Sequence, residues 1–126
     1  MIIGAHVLLY SKDPEADRAF FRDVLGFQSV DAGHGWLIFA LPPSEVAVHP
    51  AGDGPAEPAA GPNVLAASFY LMCDDLAAFR ETLEAKGVAC TAIHQERWGI
   101  VTTIRMPSGS EVGLYQPLHP TALALG

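Results

Sequence analysis

The sequence predicts an α+β domain made of two βαβββ modules, and three observations carry that reading. "SEVAVHP" at 44–50 and "SEVGLYQP" at 110–117 share their opening letters and a closing proline. Asp13–Gly26 and Asp74–Gly87 frame two segments of equal length, 61 residues apart. Trp36 and Trp98, each beside a glycine in an apolar run, lie 62 apart, and Ser44 and Ser110 lie 66 apart. Matches in the same order, with a spacing that only grows, are what a duplicated unit with a longer final hairpin leaves behind.

Each element has a local reason. "IIGAHVLLY" is an apolar run of strand length. Asp13 then reads as an N-cap with Pro14 at the first helical position, where a missing N–H costs nothing. Ala16, Ala19, Phe20 and Val24 recur at helical spacing, and Gly26 is the stop. "FQSVDAG", "GWLIFAL" and "EVAVHP" read as three further strands. The second half repeats the order: strand "AASFYLMC", a cap at Asp74 or Asp75, a helix through Lys86, the stop Gly87. Then come "VACTAIH", "WGIVTTIRM", the turn "PSGS" and "EVGLYQ". Module 1 thus spans about 1–50 and module 2 about 64–117, within a single domain covering 1–126. The Pro-, Gly- and Ala-rich stretch 51–63 reads as an exposed linker. The tail "HPTALALG" gives no clear element.

Bulk properties narrow the function. With 126 residues, 50% of them hydrophobic, and a mean hydropathy of +0.25, the chain can bury a core without staples. The net charge is −7 and the seven Lys and Arg are scattered, so a phosphate-binding patch for nucleic acid is not expected. Cys73 and Cys90 sit in apolar runs without zinc-knuckle spacing and read as buried free thiols. No stretch approaches a membrane span, and the N-terminus lacks the basic region and cleavage site of a signal peptide. A cytoplasmic protein is expected.

Paired βαβββ modules of this length resemble the vicinal oxygen chelate superfamily. That group includes glyoxalase I, fosfomycin-resistance enzymes, extradiol dioxygenases and bleomycin-resistance proteins. "HVLLYSKDPEADRAFFRDVLGF" looks like the opening strand and helix of such a module, and "PSGSEVGLYQP" like its closing turn and strand. The resemblance covers about residues 3 to 117. It implies a mixed sheet curved around a cleft, and a homodimer.

The resemblance also implies where a metal would be held. His6 stands at the usual ligand position of an opening strand, and the alternative is a buried neutral imidazole. Its counterpart near residue 67 is Ala67, which cannot ligate. The closing-strand carboxylate of the family falls on Gly113. Glu111 lies two residues earlier, displaced by roughly 6–7 Å along a strand. In the first module that position falls on Ala47, with His49 two residues on and on the same face. His6 and His49, with Glu111 as a weak third, are therefore the metal candidates for Zn, Ni, Mn or Fe. Catalytic zinc usually has three protein ligands, so no tightly bound ion is expected. Trp36, Trp98 and Tyr115 are candidates for lining the cleft, and Arg105 for holding a substrate carboxylate; core packing and a solvated strand face are the alternatives. Two functions follow from the resemblance. One is a small-molecule binder with an incomplete metal site. The other is a metal-dependent lyase or dioxygenase acting on an oxygen-chelating substrate through His6 and His49. No catalytic residue is assigned.

Overall fold

The computed structural model describes residues 1–50 and 67–125; the linker expected at 51–63 lies outside them. The fold is α+β. Helix α1 (Pro14–Asp23) is followed by the short antiparallel pair β1 (Ser29–Asp31) and β2 (Leu37–Phe39). Then come β3 (Tyr70–Met72), α2 (Leu76–Ala85), β4 (His94–Gln95), β5 (Gly99–Arg105) and β6 (Glu111–Pro117). The last four strands form one mixed sheet in the order β3-β6-β5-β4, with β3 parallel to β6 and the other pairs antiparallel.

Both helices begin and end where their caps place them. The Asp13 carboxylate accepts from Ala16 N–H at 3.3 Å, and the Asp75 carboxylate from Ala78 N–H at 3.1 Å. Each satisfies a backbone donor that the first turn leaves unpaired. Asp75, not Asp74, is the second cap. At the end of α2, Val88 N–H donates to Leu83 C=O and Gly87 N–H to Glu84 C=O. That pair of bonds closes a Schellman motif, which needs the left-handed φ of +82° at Gly87.

The core lies between the helices and one face of the four-stranded sheet. Leu76 and Leu83 of α2, Phe20 of α1, Ile104 of β5, and Val112 and Leu114 of β6 form it together with Val88 and Met106. Alternation along β6 then turns Gly113 and Tyr115 to the opposite face. A polar tie reinforces the α1 contact. The buried Asp17 accepts from Ser11 Oγ at 2.7 Å and from Ser108 N–H at 3.1 Å, joining α1 to the β5–β6 turn.

The second half is the βαβββ module read from its sequence. The first half is not complete. Residues 1–10 and 44–50, expected as its opening and closing strands, belong to no strand. They expose Ile2, Ile3, Val46 and Val48, each at 90% or more. A strand forms only where a neighbour accepts its hydrogen bonds, and among the described residues of one chain these segments have none.

Candidate functional site

The open face of the four-stranded sheet carries an aromatic wall. Tyr70 on β3 lies opposite Gly113 on β6, and Tyr115 on β6 lies opposite Val101 on β5. Trp98 immediately precedes β5. The three rings meet edge to face. Tyr70 is 5.9 Å from Trp98 and 5.8 Å from Tyr115, and Trp98 is 5.3 Å from Tyr115. Such tilted pairs set the positive edge of one ring on the negative face of the next. Tyr115 is buried, whereas Tyr70 and Trp98 remain 46% and 40% exposed, so the wall keeps apolar surface open to solvent.

Two strand glycines make room for it. A Cβ at position 113 would stand 2.1 Å from Tyr70 Cδ1, and one at position 99 would stand 2.7 Å from Tyr115 Cδ2. The strand position that the family pattern gives to a carboxylate is therefore covered by a tyrosine ring. Glycine inside a strand often marks such a close approach. Gly113 is the signal in the sequence for such an approach, but Tyr70 itself reads there only as part of a strand.

A polar cluster borders Tyr115. Its phenol lies 3.1 Å from His119 Nε2, and His119 Nδ1 lies 2.8 Å from Pro120 C=O. An N–H at Nδ1 donating to that carbonyl leaves Nε2 of the neutral ring as an acceptor, so the phenol donates to it. Glu45 approaches from the first half. One carboxylate oxygen accepts from Ala122 N–H at 2.8 Å and the other lies 3.9 Å from His119 Nε2. Burial, then the Glu45 charge and Tyr70, pushes the Tyr115 phenol above its ordinary range. It remains a neutral donor at neutral pH. The sequence does not bring His119 and Glu45 together, because the tail gives no element and the pairing spans 74 positions.

The other candidates lie elsewhere. Trp36 has Arg18 of α1 over one face, with the guanidinium 4.6 Å from the ring centre, and remains 53% exposed. Arg105 pairs across the hairpin with Glu111 at 3.7 Å, both exposed. His6 is exposed and in no strand. His49 is exposed, its Nδ1 2.8 Å from Pro50 C=O. Among the described residues no three His, Cys, Asp or Glu side chains gather as a metal-ligand group, so His6, His49 and Glu111 do not converge. The residues present do not fit the family's metal: Gly113 has no side chain, Tyr70 fills the space beside it, and Ala67 offers no donor.

A four-stranded mixed sheet with helices packed on one face and an aromatic wall on the other defines an α+β domain of the glyoxalase type. A family model for the Glyoxalase/Bleomycin resistance protein/Dioxygenase superfamily matches residues 4–114, and the chain belongs to that superfamily. Among solved structures it is similar to TnmS3, an antibiotic binding protein from a Streptomyces species. The two share 26% identity at a TM-score of 0.58, over 93% of this chain and 99% of that one. It is also similar in fold to a lactoylglutathione lyase from Agrobacterium tumefaciens, with 24% identity, a TM-score of 0.59, and 90% and 92% of the two chains covered. A third likeness of fold is to an integron cassette protein from the Halifax Harbour sewage outfall. There the identity is 18% and the TM-score 0.60, over 91% and 99% of the chains. A search of the curated proteins gives no match.

Proposed function

We propose that this protein binds a small, flat organic molecule against Tyr70, Trp98 and Tyr115 and holds no tightly bound metal. The observation that carries the reading is the Tyr70 ring lying over Gly113, where a ligand carboxylate would otherwise project. The exposed surface of Tyr70 and Trp98 supports it, since aromatic faces bind flat or cationic molecules. The likeness to an antibiotic binding protein supports it too. The acidic balance of −7 suits a cationic ligand. Trp36 and Arg105 take no part in this wall. The protein works as a cytoplasmic homodimer in this reading, and nucleic acid is not a partner.

Thermal shift tests the proposal. Cationic aromatic drugs are expected to raise the midpoint as their concentration passes Kd, and Trp98→Ala is expected to abolish the rise. A shift with Zn, Ni, Mn or Fe but none with the drugs would restore the metal-dependent reading through His6 and His49. So would a stoichiometric, chelator-resistant metal in the purified protein.

A further inference from the structure

The environment of His119 is built like that of a bound ligand. Its flat ring lies beside Tyr115, near-parallel at 24° with centres 5.9 Å apart. One ring nitrogen faces the Tyr115 hydroxyl at 3.1 Å and the Glu45 carboxylate at 3.9 Å. The side chains against it come from both halves, Tyr115 of β6 and Glu45 of the first half, and Tyr115 is itself packed against Tyr70 of β3 and Trp98 before β5. Side chains of both His119 and Glu45 are mostly covered, at 29% and 19% exposure. Yet His119 belongs to the tail, not to the sheet. Among the described residues that tail is held to the rest of the fold by Leu118 N–H to Trp98 C=O at 2.8 Å, Ala122 N–H to Glu45 at 2.8 Å, and the imidazole itself. A segment tied so lightly exchanges at low cost.

We infer that the slot between Tyr115 and Glu45 is a subsite for a flat nitrogen heterocycle with a ring-nitrogen acceptor, and that His119 occupies it until a ligand displaces it. The inference rests on the aromatic wall being the ligand surface. The chemistry follows from the contacts of the imidazole. The Tyr115 hydroxyl donates to an unprotonated ring nitrogen. The Glu45 carboxylate favours a heterocycle that carries positive charge. The Tyr115 ring lies along its apolar face. A heterocycle lacking the acceptor nitrogen forfeits the bond from the Tyr115 hydroxyl.

Calorimetric titration of the full chain with benzimidazole and with indole tests this, because indole keeps the shape and the N–H but lacks the acceptor nitrogen. His119→Ala is expected to bind benzimidazole about fivefold more tightly than indole, the worth of one hydrogen bond. It is expected to bind benzimidazole more tightly than the wild type does, since no side chain competes. Adding Tyr115→Phe is expected to erase the preference. His119→Asn is titrated in parallel, so that a loss of fold in one variant leaves the other to decide. Equal binding of the two probes overturns the subsite and leaves the aromatic wall standing. Equal benzimidazole binding by wild type and variant overturns His119 as the occupant. No binding of either probe by the folded variants overturns the subsite and the wall together.

Discussion

A methyl group placed on residue 113 would meet the Tyr70 ring at 2.1 Å, a distance side chains do not adopt. Gly113→Ala is therefore expected to cost about 1–3 kcal/mol, as overpacking does. Tyr70→Ala in the same chain is expected to recover part of that loss, because the two positions share one space. Urea denaturation of the single and double variants checks it, and additive losses would show that the ring does not press on this position. Cys73 supplies a second residue-scale test. Burial, helped by the charge of Asp74, pushes its thiol up to about 11 from the ordinary 9.0. The folded protein disfavours the thiolate and the unfolded chain does not. That contribution is whole below pH 9.0 and is lost as pH rises through about 11. Stability is expected to fall across that window less steeply in Cys73→Ala than in the wild type, and parallel curves would exclude the thiol. The missing carboxylate at Gly113 was legible in the sequence, but the reason for it was not. Tyr70 and Gly113 are 43 positions apart, and nothing local says that one ring will cover the other.

At the scale of elements, the helices were legible because their determinants are local. Asp13, Pro14, Asp75 and Gly87 act within a turn of their own position. Gly87→Ala forces a side chain into the left-handed region and is expected to cost about 1 kcal/mol. The tie between α1 and the β5–β6 turn was not legible, since Asp17 and Ser108 are 91 positions apart. Asp17→Ala strips the partner from the Ser11 hydroxyl and from Ser108 N–H. It is expected to lower stability by about 1–3 kcal/mol, read as a lower urea midpoint. A change under a few tenths would mean that water replaces the carboxylate without loss.

At the scale of the molecule, the two halves differ in completeness. The second has its sheet and its core, whereas the first leaves two apolar segments without strand partners. Periodicity marks a segment as ready to pair but does not name the partner, which is why 1–10 and 44–50 read as strands and are not paired within one chain. Exposed apolar surface on this scale marks an association site. Light scattering is expected to give the mass of a homodimer. Val46→Lys with Val48→Lys is expected to shift it toward the monomer, because charges at a strand edge oppose pairing. A wild-type monomer across micromolar concentrations would reject the association.

The aromatic wall has an optical consequence. Trp98 lies 5.9 Å from Tyr70 and 5.3 Å from Tyr115. Light absorbed by either tyrosine passes to the indole before the phenol can emit. The aromatic face is thus an antenna, and tryptophan emission excited in the tyrosine band reads out its integrity without any added dye.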